Sequence, residues 1–201
     1  MDPRQLFGEI DIYLFDQILK GRFMPGMKIL DAGCGGGRNL VYFLRAGYEV
    51  FGVDSSADAI AYVRQMAHQL APQLPPENFQ LAAVEDAVFP AETFDAVISS
   101  AVLHFATDEE QFRQMLGAMW RQLKRGGLFF ARLASSIGIE DFIQHIEGRR
   151  YLLPDGSERF LVDEAFLIEL KSQLNAEWLE PLKTTNVQDL RCMTTWVMRK
   201  R

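Results

Sequence analysis

The sequence predicts an α/β protein built around a doubly wound, mostly parallel sheet. Three observations predict it. Short apolar runs at 28–31, 49–53, 79–84, 94–99 and 128–133 read as buried strands; strands covered on both faces read as near-continuous apolar segments. Segments with helical apolar spacing separate most of them, as right-handed βαβ crossovers require. The first run leads straight into four glycines within five positions, Gly33 and Gly35 to Gly37. Glycine there permits positive φ and close approach of a ligand to the backbone, at the sheet edge where open α/β sheets bind ligands. A nucleotide-like ligand over this loop is the first functional expectation.

In chain order, Ile10, Tyr13, Leu14 and Ile18 predict one helix over 3–19, ended by Gly21, Pro25 and Gly26. After the glycines, Leu40, Phe43 and Leu44 share a face of a helix over 39–46, with Gly47 as its stop. The second strand ends in Asp54. Ser55 or Ser56 caps a helix to about 70, with Asp58 at its positive end, and Pro72, Pro75 and Pro76 forbid its continuation. Glu85, Asp86 and Pro90 mark a loop between the third and fourth strands. An amphipathic helix over 108–124 closes at Arg125-Gly126-Gly127. Beyond the fifth strand, 139–146 reads as a short helix, and Pro154-Asp155-Gly156 as a turn between β-like runs. Asp163 caps a helix to about 174. Two late runs, 177–187 and 190–198, read as an antiparallel pair. The expectation is one domain over 1–201, with an N-terminal helical cap at about 1–25 and an insertion at about 135–162.

Composition narrows the function classes. A hydrophobic fraction of 48% with 24% charged residues is that of a soluble globular chain. Net charge of −6 argues against a nucleic-acid partner. The basic runs Arg149-Arg150 and Arg199-Lys200-Arg201 are local exceptions or simply solvated charges. Two cysteines, Cys34 and Cys192, make neither a metal-ligand spacing nor a disulfide framework, which fits a reducing, cytoplasmic setting. The N-terminus has no signal-like pattern and no apolar run reaches the length of a membrane span.

Two ligand classes share the strand–glycine–helix layout. The dinucleotide fingerprint needs a third glycine where this chain has Arg38, so it is broken. Asp31, before the loop, repels a pyrophosphate and attracts a ligand carrying a cation.

Asp31-Ala32-Gly33-Cys34-Gly35-Gly36-Gly37-Arg38-Asn39 resembles the first motif of class I S-adenosylmethionine-dependent methyltransferases. Its Gly-Arg-Asn ending is similar to the small-molecule branch that includes tellurite-resistance and thiopurine methyltransferases. The similarity continues through Val53-Asp54-Ser55, Glu85-Asp86-Ala87, the run Phe94 to Ser100 followed by Val102-Leu103-His104, and Leu123 to Gly127. The resemblance implies a Rossmann-like, mostly parallel seven-stranded sheet with an antiparallel C-terminal hairpin. It also implies S-adenosylmethionine as cofactor and a small-molecule methyl acceptor attacked in line at the sulfonium.

The resemblance places the cofactor against Asp31, Ala32, Gly33, Cys34, Gly35 and Arg38. Asp54 and Ser55 fall at the ribose, Glu85, Asp86 and Ala87 at the adenine, and Ser99 and Ser100 at the end of the fourth strand. Either Glu85 or Asp86 fills the adenine position. Cys34 reads as a small packing residue that contributes its amide. Arg38 reaches the cofactor carboxylate, pairs with Asp31, or lies exposed. His104 is the candidate general base, or a loop histidine bonded to backbone. Arg132 binds an anionic acceptor or joins a salt bridge. Tyr13 and Arg22 close over the cofactor or pack in the core. His68, His104 and His145 are isolated, so no metal constellation is present. A non-catalytic cofactor-binding module and a nicotinamide-dependent oxidoreductase are the competing readings.

Overall fold

The computed structural model describes residues 2–201. Its central sheet contains β1 (Lys28–Ala32), β2 (Glu49–Asp54), β3 (Phe79–Leu81), β4 (Phe94–Ser100), β5 (Leu123–Ser135), β9 (Ala176–Trp178), β10 (Lys183–Val187) and β11 (Arg191–Lys200). The order is β10-β11-β5-β4-β1-β2-β3, and β9 adds an eighth strand by pairing with β11. All pairings among β1 to β5 are parallel, while β11 runs antiparallel to β5, β9 and β10. The doubly wound, mostly parallel sheet with an antiparallel C-terminal end is therefore present. The first late run splits into β9 and β10 around Pro181, while the second is the single strand β11, so the C-terminal hairpin has a two-piece outer edge.

Strand periodicity builds two cores. Leu30, Val97, Phe129, Ala131, Leu133, Trp196 and Met198 face one side of the sheet, against α5 (Glu109–Gln122) and α6 (Glu164–Gln173). Their neighbours Ile29, Ala96, Ile98, Leu128, Phe130 and Val197 face the other side, against α2 (Ile12–Leu19), α3 (Val41–Arg45) and α4 (Ala57–Leu70). Alternating side chains of a strand point to opposite faces, so each central strand serves both layers. Side-chain caps start the helices where the sequence placed them: Ser56 Oγ accepts from Ala59 N, Asp108 Oδ1 from Gln111 N, and Asp163 Oδ1 from Phe166 N.

Four expectations change. The single N-terminal helix is two, α1 (Pro3–Phe7) and α2, because Gly8 takes φ +64° and Asp11 caps α2 through Tyr13 N. The expected helix at 139–146 does not form. Its residues turn and then pair as β6 (Gln144–Glu147) in a separate three-stranded antiparallel sheet with β7 (Arg150–Leu152) and β8 (Glu158–Phe160). A segment this short is a marginal helix, and strand pairing satisfies its backbone instead. Leu153 and Leu161, directly after β7 and β8, pack on Ala134. Third, β5 starts at Leu123, and the Arg125-Gly126-Gly127 stretch is absorbed in a register shift against β4 between Phe94 and Ala96. Fourth, Arg22 does not turn toward the glycine loop: it donates to Leu179 O and pairs with Glu180 at 3.0 Å. Glu180 is also held by Lys20 and Lys183. Burial alone would push its carboxyl up, but the two lysines bring it down to about 2. This cluster fastens the N-terminal cap to the C-terminal edge of the sheet.

Candidate active site

A cleft of about 960 Å³ opens at the carboxyl ends of β1, β2 and β4. Gly33, Cys34, Gly35, Gly36 and Arg38 form its floor, Asp54 and Ser55 one wall, and Glu85 the far end. Ser100, Ala101, Val102 and Phe105 close the other side. The loop owes its shape to the glycines. Gly33 sits at φ +78°, where a Cβ would lie 2.4 Å from Val102 Cγ2. At Gly35 and Gly36 nothing lies within 4 Å of a built Cβ, so the backbone there is bare toward the cleft. The loop is pinned underneath by Gly33 N and Cys34 N, both donating to Val53 O.

Cys34 packs inward over Gly52, whose missing Cβ would meet its Sγ at 3.0 Å. Burial and the nearby Asp31 and Asp54 charges push its thiol far up, so it is no thiolate nucleophile. Asp54 accepts Gly35 N on Oδ2 at 2.8 Å and Ser56 N on Oδ1 at 2.9 Å. Each carboxylate oxygen keeps a free lone pair for a further donor.

Of the adjacent acids, Glu85 lines the cleft and accepts from Gln111 Nε2 at 2.8 Å. Asp86 lines a separate surface hollow with Gln114 and Arg121. Ala87 is buried in the core, its carbonyl accepting from Gln122 Nε2. Asp31, Ala32 and Ser99 are likewise buried beneath the cleft rather than lining it.

Asp31 is 1% exposed, and neither carboxylate oxygen has a hydrogen-bond partner among the described residues. Burial raises its carboxyl to about 7, against the opposing pull of Arg38 and with some help from Asp54. Such a group is stabilised by a cation arriving nearby.

Sequence reasoning missed Asp11, the pivot of the cleft's rim. Its Oδ2 accepts from Ser100 Oγ at 3.2 Å and Arg132 Nη1 at 3.3 Å, and lies 3.8 Å from Arg38 Nη2. Arg38 Nη2 also donates to Ser100 Oγ at 3.1 Å. The Arg132 guanidinium lies 5.2 Å from the centre of the Tyr13 ring. Asp11 is legible as a helix cap, but pattern gives no sign of contacts to residues 89 and 121 positions away. Glu9, Asn39, Gln111 and Met115 also line the cleft without having been expected there.

His104 is placed away from the cleft, in an adjoining pocket of about 300 Å³ shared with Arg38, Ala101 and Arg132. Its Nδ1 accepts from Ala134 N at 3.1 Å. Burial, with the positive charges of Arg159 and Arg132, lowers it to about 4. Near neutral pH the ring is therefore uncharged, with its hydrogen on Nε2. The lone pair a general base would use accepts the Ala134 N–H, the hydrogen bond of the backbone-bonded alternative.

The donor set fits one kind of ligand: a cationic end near an orphaned buried carboxylate, an apposed bare glycine backbone, and hydroxyls for Asp54. S-adenosylmethionine has these parts. The "Methyltransferase domain" family model matches residues 30–131, about half of the chain. The chain is 32% identical over 170 residues to the mouse mitochondrial ubiquinone biosynthesis O-methyltransferase, covering 76% of this chain and 44% of that protein. It is 33% identical over 105 residues to an uncharacterized methyltransferase of Synechocystis, covering 52% and 46% respectively. The chain thus spans about half the length of the curated relatives it matches. Among solved structures, a methyltransferase from Methanosarcina mazei superposes with a TM-score of 0.74 at 19% identity, over 91% of this chain and 96% of that one. From loop to fold, the chain belongs to the methyltransferase-domain family, in the class I S-adenosylmethionine-dependent group.

Proposed function

We propose that this domain transfers a methyl group from S-adenosylmethionine to a small-molecule acceptor. One observation carries the acceptor half: the 300 Å³ pocket adjoins the glycine cleft and shares Arg38 and Ala101 with it. That volume equals about ten waters, room for a small metabolite and not for a polymer segment. The mouse relative's name, an O-methyltransferase of ubiquinone biosynthesis, supports a small acceptor as well.

In this reading Asp54 and Ser55 take the ribose hydroxyls and Glu85 the adenine end, with Asp86 outside. The Gly33–Gly35 backbone and Arg38 hold the amino-acid end, and ionised Asp31 complements the cofactor's positive charge. When bound, S-adenosylmethionine supplies the electrophilic methyl and its own leaving group. The protein's share is alignment and exclusion of water, worth about 7 kcal/mol at the lower end of intramolecular effects. The N-terminal cap contributes Glu9 to the cleft and sets Asp11 and Tyr13 against Arg132, and the insertion contributes the outer wall of the acceptor pocket, so one domain carries both sites. Two buried free thiols fit a reducing, cytoplasmic setting.

Calorimetry with S-adenosylhomocysteine tests the donor half; no heat above buffer defeats the reading. Asp54→Ala is expected to weaken that binding by about 1–3 kcal/mol through lost charge-assisted hydrogen bonds. Transfer of labelled methyl into fractionated cell extract tests the acceptor half, since label on protein or RNA would rule out a small molecule. We further read His104 as a positioning residue. His104→Gln keeps an acceptor for Ala134 N and is expected to retain most turnover with an unchanged pH profile. A general base would cost about 10²-fold or more.

A further inference from the structure

The acceptor pocket has an unusual charge for this chain. Net charge is −6, yet four arginines line this one small space: Arg38, Arg132, Arg159 and Arg191. Among the described residues, two carboxylates pair with them. Asp11 faces Arg132 and Arg38, and Asp155 lies 3.8 Å from Arg191. Arg159 has no carboxylate within ion-pair distance among the described residues. Its guanidinium rests 5.0 Å from the centre of the Phe105 ring, and Nη1 donates to Glu158 O. Arg132 Nε is buried without a partner among the described residues. The excess positive charge is felt by the pocket's own histidine, which Arg159 and Arg132 help to keep neutral.

The arginines converge from four separate parts of the fold. Arg38 follows the glycine loop, Arg132 is in β5, Arg159 in β8 and Arg191 in β11. Leu153, Val187 and Met193 supply an apolar wall between them. A solvated surface would scatter such charges outward. Here they gather around a cavity next to the cleft, with guanidinium forks suited to planar or tetrahedral oxyanions.

Resting on the reading above, we propose that the methyl acceptor is a small organic anion with an apolar body, its carboxylate or phosphate held by Arg132, Arg159 and Arg191. The same field would draw such an anion toward an otherwise acidic protein.

The test uses the full chain, with and without saturating S-adenosylhomocysteine, titrated with sodium benzoate, phenyl phosphate and the neutral benzamide. Binding of either anion at least tenfold tighter than benzamide is expected, and the tighter of the two identifies the oxyanion. Arg159→Gln and Arg191→Gln should each cut that preference severalfold and leave S-adenosylhomocysteine affinity within twofold, whereas Arg159→Lys retains part of it. Equal binding of benzamide, no binding of either anion, or a preference untouched by both glutamine variants overturns the proposal. A companion assay splits cell extract on an anion exchanger before labelled methyl transfer. Label should enter the retained fraction. Label only in the flow-through, with S-adenosylhomocysteine still bound, sinks the anionic acceptor alone, while loss of S-adenosylhomocysteine binding sinks the methyltransferase reading separately.

Discussion

Gly33 and Gly36 are separated only by Cys34 and Gly35, yet they do different work. At Gly33 a side chain is excluded by the protein itself, because φ is +78° and Val102 fills the space. At Gly36 the space is empty of protein and belongs to the cleft. Gly36→Ala is therefore expected to leave the melting temperature within about 2 °C, since surface changes cost little, and to weaken S-adenosylmethionine binding about tenfold. Gly33→Ala should lower the melting temperature markedly even without ligand. Thermal melts beside calorimetry separate the two. Equal effects of both on stability would show that the loop is not shaped as described.

At the scale of elements, β11 anchors the antiparallel end of the sheet, between β5 on one side and β9 and β10 on the other. It pairs with β5 from Cys192 opposite Ser135 to Arg199 opposite Leu128. Trp196 is fully buried at the middle of this pairing, edge-on to Phe129, with its indole N–H unpartnered among the described residues. Trp196→Ala should cost about 3–5 kcal/mol in urea unfolding through the cavity it leaves. Trp196→Phe should cost distinctly less, since it also removes a buried unsatisfied donor. The reverse order would mean that the indole N–H has a partner. The three-stranded sheet β6-β7-β8 illustrates the other direction of influence. Its strands are short and partly exposed, and their place is decided by pairing and by Leu153 and Leu161 packing on Ala134.

For the whole molecule, two buried groups give opposite pH dependences. His104 is lowered from 6.5 to about 4 on folding. The unfolded chain takes up its proton first, so the stabilisation is complete above pH 6.5 and is lost as pH falls toward 4, about 3 kcal/mol in all. Asp31 is raised from 3.8 to about 7. The folded chain holds its proton longer, so stability falls as pH climbs from 4 to 7, by about 4 kcal/mol. In the wild type these largely offset each other. Relative to it, Asp31→Asn should be more stable at pH 8 and nearly equal at pH 4 in unfolding experiments, while binding S-adenosylmethionine less tightly. Wild-type affinity for that cation should rise between pH 6 and 8 and be flat in the variant. An Asp31→Asn protein less stable at pH 8 would contradict the buried, unpartnered carboxylate.

What was legible in the sequence is local in origin. Apolar runs, caps and glycines report on strands, helix starts and a tight loop, because each depends on neighbours within a few positions. The glycine loop with Asp31, Arg38 and Asp54 pointed to the cofactor for the same reason. The segment 135–162 was misread in part and carried no acceptor signal, since its residues acquire meaning only beside partners far away in the chain. Asp11 meets Ser100 and Arg132, Arg159 meets His104, and Glu85 rather than Asp86 reaches the cleft only through the path of the folded backbone. The sequence by itself determined the methyl donor's loop and the sheet beneath it; the tertiary structure alone decided that four arginines share one cavity, because convergence of charges is a property of distance in space and not of spacing along the chain.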